Sequence, residues 1–215
     1  RKPELTWINA EEFEKNPVKL KNLRKFDGIV VPGGFGSRGI EGKIQVIRYV
    51  REHKIPFLGL CYGMQLATIE FARHAAKLRG MSHTEEIDPK AKHQVIHLMA
   101  EQEGVMARHR YGGTMRLGAY PCVLAKGSRS FHAYGEQVIS ERHRHRYEFN
   151  NAYRDELKKA GLLIAGTSPD GRFVEIIEVP KHPFFVGTQF HPQLKSRPLR
   201  PHPLFREFIR AAMQK

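Results

Sequence analysis

The run Ile55-Pro-Phe-Leu-Gly-Leu-Cys-Tyr-Gly-Met-Gln65 constrains this chain more than any other stretch. Its apolar residues read as a short buried strand, Gly59-Leu60-Cys61-Tyr62-Gly63 as a tight turn, and a helical pattern begins directly afterwards. A strand that passes straight into a helix must change direction over one residue. The two glycines flanking the apex permit that sharp backbone. The apex residue is a cysteine. The turn lifts its sulfur out of the sheet, and the N-terminal dipole of the following helix favours the thiolate, so the pattern predicts an acidic, exposed nucleophile. The competing reading is a buried cysteine that only packs at a strand end.

Distant segments supply partners for it. Val30-Val-Pro-Gly-Gly-Phe-Gly36 follows an apolar strand at Phe26–Val31, and Gly187-Thr-Gln-Phe-His-Pro-Gln193 lies near the C-terminus. A cysteine, a distant histidine and a polar residue two positions beyond it make a Cys–His–X arrangement suited to nucleophilic catalysis. Each motif alone is weak. The order of Gly-Gly loop, cysteine elbow and His-Pro after a terminal strand is more specific, and it resembles the class I (triad) glutamine amidotransferases.

Four further runs narrow the resemblance. Pro32-Gly-Gly-Phe-Gly-Ser-Arg-Gly-Ile-Glu-Gly-Lys43, Gly113-Thr-Met-Arg-Leu-Gly118, Glu141-Arg-His-Arg-His-Arg-Tyr-Glu148 and Phe190-His-Pro-Gln-Leu-Lys-Ser-Arg-Pro198 look like the glutaminase domains of CTP synthases. The resemblance runs from about Phe26 to the end of the chain. It implies a three-layer, flavodoxin-like α/β fold with a mostly parallel central sheet and the site at the carboxyl ends of the strands. It also implies glutamine hydrolysis that delivers ammonia to a synthetase domain, which aminates UTP with ATP and Mg²⁺.

A chain of 215 residues with 40% hydrophobic and 10% aromatic content can bury one sizeable core. No apolar run approaches the ~20 residues that span a bilayer, so no membrane partner is expected. Cys61 and Cys122 form no Cys-x-x-Cys, which fits a reducing cytoplasm. The net charge of +14 raises the question of nucleic acid. The basic residues are spread along the chain apart from Arg142–Arg146, and no nucleic-acid motif accompanies them. Solvated faces and an acidic partner domain account for the charge, and no nucleic-acid function is expected.

Along the chain, periodicity predicts helices over Glu41–His53, Met64–Leu78 and Ala152–Ala160. Strands are expected at Pro56–Leu60, Gln94–Ala100, Thr114–Leu124, Leu162–Ser168, Phe173–Val179 and Phe184–Gln189. Pro169-Asp-Gly171 marks a hairpin between two of them. Phe205, Phe208, Ile209, Ala212 and Met213 mark a closing amphipathic helix with Pro203 in its first turn. Residues 1–25 offer only Leu5–Ile8 as a short strand and Ala10–Leu23 as a broken helical region. Domains like these usually open with a strand and helix first. The chain therefore reads as a single glutaminase domain over residues 1–215, a fragment without the preceding synthetase domain. The resemblance further implies a homo-oligomer, a tetramer, at full length.

The chemistry assigns roles. Cys61 attacks the carboxamide of L-glutamine to form a thioester, and His191 moves the proton. The oxyanion donors are the N–H of Tyr62 and one from Gly33-Gly34, with Gly33 preferred by resemblance. A phosphate loop is the weaker alternative there, since no Gly-Lys-Ser/Thr follows. By resemblance, Gln65, Glu85 and Arg146 match the glutamine-binding positions, with Glu86 adjacent to the second and Arg146 closing a run that could equally be solvated surface. A metal at His143 and His145 is disfavoured by the neighbouring arginines. No cofactor is expected in this domain. Gln193 departs from the pattern, because the family carries glutamate there. Glutamine lacks the charge that stabilises an imidazolium, yet its carbonyl can still orient the ring. The rival reading is a docking or regulatory domain that has lost activity through Gln193.

Overall fold

A computed structural model of the chain describes residues 3–78, 82–98 and 115–215. The final residues of the expected strand Gln94–Ala100, and Gly113-Thr114 of the motif that begins there, lie outside them. The described strands are β1 (Ile29–Val31), β2 (Phe57–Leu60), β3 (Ser82–Thr84), β4 (His93–Leu98), β5 (Arg116–Leu124), β6 (Val138–His145), β7 (Tyr147–Phe149), β8 (Leu163–Thr167), β9 (Val174–Glu178) and β10 (Phe185–Thr188). The helices are α1 (Glu11–Lys15), α2 (Ile40–Glu52), α3 (Tyr62–His74), α4 (Arg129–Tyr134), α5 (Arg154–Lys159) and α6 (Pro203–Ala212), with a 3₁₀ segment at Pro17–Lys25.

Seven strands form one sheet in the order β1-β2-β10-β9-β8-β5-β6, and β3-β4-β7 form a smaller one. The three-layer α/β arrangement is as expected, but the large sheet is mixed rather than mostly parallel. Only β1–β2 and β2–β10 pair in parallel. The four remaining pairings, from β10–β9 to β5–β6, are antiparallel. The reason lies in the connections. β8 and β9 are joined by the short Ser168–Phe173 turn, where Asp170 accepts from the Arg172 N–H; a turn of that length can only reverse the chain. The parallel part is where crossover helices cover the sheet, and it carries the site.

Two apolar clusters sandwich the sheet. One joins α1, α2 and α3 to Phe57 and Phe185 and extends to the small sheet. The other joins Leu58, Leu60 and Val186 to Phe184, Leu204 and Phe208. Adjacent residues of β2 and β10 thus face opposite layers, as strand geometry requires. α3 is buried from Tyr62 to Ala72, and for that reason its sequence shows no clean polar face. α6 buries Phe208 and Ala212 as expected, together with Leu204, while Ile209 and Met213 of the expected stripe face outward. Leu5–Ile8 forms no strand, and Leu5 and Trp7 are 83% and 90% exposed; among the described residues no strand pairs with it.

β6 differs most from expectation. The Arg142–Arg146 run is mainly strand, alternating exposed and buried over Val138–His145. Arg142 and Arg144 point to solvent, and Glu141, His143 and His145 point inward. His202 caps α6 by accepting from the Leu204 N–H, and its Nε2 lies 3.0 Å from Glu141 Oε1, which ties α6 to β6.

Gly63 is where α3 approaches the sheet most closely. A Cβ there would stand 2.1 Å from the carbonyl oxygen of Val31 in β1. Gly63→Ala should therefore destabilise the chain by about 1–3 kcal/mol, as overpacking against rigid backbone does, read from chemical denaturation with an unchanged m value.

Candidate functional site

Cys61 occupies the junction of β2 and α3 with φ 49° and ψ −100°. A non-glycine residue in that region stores roughly 1–3 kcal/mol of strain, which the surroundings must hold in place. They do so through the backbone. Cys61 N–H donates to Thr188 O in β10 at 2.6 Å, and Cys61 O accepts from Met64 and Gln65 N–H at 3.0 and 3.1 Å, opening α3. The elbow therefore ties β2, α3 and β10 together at one residue.

His191 follows β10 by three residues. Its backbone N–H donates to Arg142 O of β6 at 2.8 Å. Gly33, beyond β1, packs onto both: a Cβ there would lie 2.9 Å from His191 Cε1 and 3.6 Å from Cys61 Cβ. Only a glycine lets the loop backbone come this close. Gly34 lies against the Tyr62 ring, and the Tyr62 hydroxyl donates to Gly36 O at 2.5 Å, fixing the loop over the helix start. Cys61, His191, Gly33, Gly34 and Tyr62 thus share one location.

The electrostatics differ from the acidic thiol expected. Burial pushes the Cys61 thiol up to about 11, against the Tyr62 N–H and the Gln189 amide, which donate toward the sulfur and lower it. At 5% exposure the lost hydration outweighs the helix N-terminus. Burial also lowers the pKa of His191, the Arg144 carbonyl opposing. The resting pair is therefore neutral thiol and neutral imidazole. Cys61 Sγ donates to the Arg144 carbonyl at 3.8 Å, and the same carbonyl faces the His191 ring. Cys122, the other free thiol, is fully buried and its pKa is raised further, first by burial and then by Glu175 and Glu141.

Gln193 Nε2 lies 2.9 Å from His191 Nδ1. In this orientation the amide donates, and the imidazole proton sits on Nε2. Turned over, its oxygen accepts from Nδ1–H and leaves the Nε2 lone pair ready for the thiol proton. A carboxylate would permit only the second state.

Of the three expected substrate contacts, Gln65 is deepest. Its amide nitrogen donates to Tyr147 O at 3.0 Å and to Gln189 Oε1 at 3.4 Å. Glu85 turns away to accept from the Leu98 N–H at 2.7 Å. Its neighbour Glu86 faces the loop instead: burial raises its pKa while the Gly36 N–H and Arg146 lower it. Arg146, between β6 and β7, also lowers the pKa of Tyr147, which burial raises. Arg146 and Glu86 thus interact with each other, and Glu86 with the Gly36 N–H of the loop, while Glu85 is held by the Leu98 N–H.

Two features escaped the sequence reading. Gln189 Nε2 lies 3.6 Å from Cys61 Sγ; its signal was alternation, since Gln189, His191 and Gln193 are spaced by two. The second is a buried cluster behind His191. Arg116 Nη1 donates to Glu175 Oε1 at 2.5 Å, and His143 Nδ1 lies 3.1 Å from His145 Nε2. Burial lowers the two histidines to about 2 and about 3, so both are neutral. Among the described residues no group of three or more His, Cys, Asp or Glu could hold a metal ion.

A glutamine-like electrophile that occupies the site should label Cys61 and spare Cys122. Peptide mapping by mass spectrometry checks this. Label on Cys122, or on neither cysteine, would remove Cys61 from the role.

Residues 2–211 match the family described as Glutamine amidotransferase class-I. The chain is 59% identical over 210 residues to a CTP synthase of Carboxydothermus hydrogenoformans, covering 98% of this chain and 38% of that protein. It is 57% identical over 209 residues to a CTP synthase of Clostridium kluyveri, covering 97% and 38%. The chain thus spans well under half the length of these relatives. Its structure superposes with a TM-score of 0.91 on the glutaminase domain of Trypanosoma brucei CTPS with bound acivicin, at 36% identity over 99% of this chain and 81% of that one. With the family match extending over nearly all residues, and the elbow, loop and histidine meeting at one place, the chain belongs to the class I glutamine amidotransferases.

Proposed function

We propose that this chain hydrolyses L-glutamine and supplies ammonia to a synthetase domain that aminates UTP to CTP with ATP and Mg²⁺. The observation that carries the reading is the convergence of Cys61, His191 and Gly33, where one absent Cβ separates loop from nucleophile and base. The step follows from their chemistry. With the Gln193 amide turned so that its oxygen accepts from His191 Nδ1–H, the Cys61 S–H bond breaks as its proton passes to His191 Nε2, and the sulfur electron pair forms a bond to the carboxamide carbon. The N–H groups of Tyr62 and Gly33 stabilise the oxyanion. Collapse breaks the C–N bond, and the proton on His191 leaves with ammonia. Water, deprotonated by His191, then cleaves the glutamyl thioester.

Because both groups rest neutral, the proton moves only when a substrate carbonyl is there to receive the sulfur. Arg146 is suited to the substrate α-carboxylate. Glu85 is assigned to the α-amino group by resemblance, and Glu86, which faces the loop, is the carboxylate the geometry adds. Gln193 stays within hydrogen-bond reach of His191, which favours an active enzyme over an inactive docking domain. The synthetase partner and its nucleotides are inferred from the relatives' greater length and name, and a tetrameric assembly from the sequence resemblance alone. Two free thiols fit a reducing cytoplasm. No helix among the described residues is long and apolar enough to cross a membrane.

Given glutamine, UTP and ATP, the chain alone should release glutamate and ammonia and form no CTP, and Cys61→Ala should abolish the release. CTP from the pure chain, or glutamate release that survives Cys61→Ala, would overturn the reading. Gln193→Glu should raise kcat by about 10- to 100-fold, a barrier change of roughly 1–3 kcal/mol. KM should stay nearly constant, because residue 193 contacts His191. An unchanged kcat would show that residue 193 does not orient the base.

A further inference from the structure

Four groups form a line that ends on the nucleophile. Tyr147 O receives Gln65 Nε2 at 3.0 Å, Gln65 Nε2 also reaches Gln189 Oε1 at 3.4 Å, and Gln189 Nε2 reaches Cys61 Sγ at 3.6 Å. An amide can in principle face either way, but here the direction is fixed from one end. A backbone carbonyl can only accept, so the Gln65 –NH₂ must face Tyr147. The second hydrogen of that –NH₂ points at Gln189, so Gln189 must turn its oxygen toward Gln65. Its own –NH₂ is then left facing the sulfur. His145 strengthens the anchor, since its Nδ1 lies 3.0 Å from the same Tyr147 carbonyl and, with the ring neutral, must donate. Gln65 and Gln189 are 4% and 1% exposed, so water does not compete for these bonds.

We propose that Gln189 is a catalytic residue whose amide donates to the sulfur of Cys61 and stabilises the thiolate as it forms, and that Gln65 is a positioning residue that fixes the Gln189 amide. The proposal rests on Cys61 being the nucleophile. It gives Gln65 a role beside the substrate contact that the resemblance implies. A thiol accepts hydrogen bonds weakly, whereas a thiolate accepts them strongly, so the Gln189 bond strengthens along the reaction and lowers the barrier more than it stabilises the resting state. The Arg144 carbonyl works in the opposite sense, because it can receive only the protonated form.

The test is the rate of Cys61 alkylation by iodoacetamide at pH 8 in the full chain, mapped by mass spectrometry with Cys122 as internal control. At that pH the rate follows the thiolate fraction. Gln189→Met, similar in volume and without a donor, should alkylate about tenfold more slowly, the loss expected when one hydrogen bond to a charged group is removed. Gln189→Glu, which places an acceptor against the sulfur, should be slower still. It serves alone if the methionine variant does not fold. Glutamine turnover should fall in both, through kcat rather than KM. Gln65→Met should slow alkylation to an intermediate degree, and the double Gln65→Met/Gln189→Met variant should be no slower than Gln189→Met, because Gln65 acts through Gln189. Alkylation as fast as in the parent in either Gln189 variant would overturn the catalytic role. A Gln65→Met variant with raised KM and parental alkylation would leave Gln65 with substrate binding alone and overturn its positioning role. If instead Cys61→Ala retains glutaminase activity, the nucleophile assignment itself fails, whatever the alkylation rates show.

Discussion

The structure depends on one strained residue. Cys61 adopts φ 49° because β2 ends beneath α3 with no loop between them. The conformation persists because its N–H is bonded to β10 and its carbonyl opens the helix. That bond to Thr188 also sets the register at which β10 delivers Gln189 and His191. Strain at Cys61 and placement of His191 are thus one constraint, over-determined by the parallel β1-β2-β10 core. Gly63 under β1 and Gly33 over the elbow are the consequences: each removes a side chain where two backbones must meet.

Burial decides the electrostatic state around that elbow. It holds Cys61 as a thiol, His191 as a neutral imidazole and the His143–His145 pair uncharged. A helix N-terminus and two N–H donors favour the thiolate, but they act against the larger penalty of dehydrating a charge. The Cys61–His191 pair is consequently uncharged at rest. Polar groups in such a setting matter through their direction. The Tyr147 carbonyl orients two glutamine amides in turn, and Gln193 selects the tautomer of His191 by the way its amide faces.

β6 links the site to the rest of the fold. Its outward arginines carry charge to the surface, while their carbonyls bind the His191 backbone and the Cys61 thiol. Its inward residues join the Arg116–Glu175 pair and, through Glu141, the cap of α6. A buried ion pair of this kind adds little net stability. Here it holds His143 from behind, through Arg116 Nη1 and Glu175 Oε2.

The sequence by itself determined the elbow, the glycine loop and the His191–Gln193 segment, because each depends on local backbone demands that few residue types satisfy. It also determined the helices with one apolar stripe and the β8–β9 hairpin, whose period and turn residues are local signals. Tertiary structure decided the rest. The large sheet became mixed because strand direction follows from connections and pairing partners, not from composition. β6 was hidden because arginines on its outer face masked the alternation with buried histidines. The thiol pKa rose because burial depends on the whole fold. Glu86 rather than Glu85 came to face the loop because, in the turn after β3, Glu85 is taken up by the Leu98 N–H. Gln189 acquired its position at the sulfur only when β10 was laid beside β2, an arrangement that no residue of either strand specifies alone.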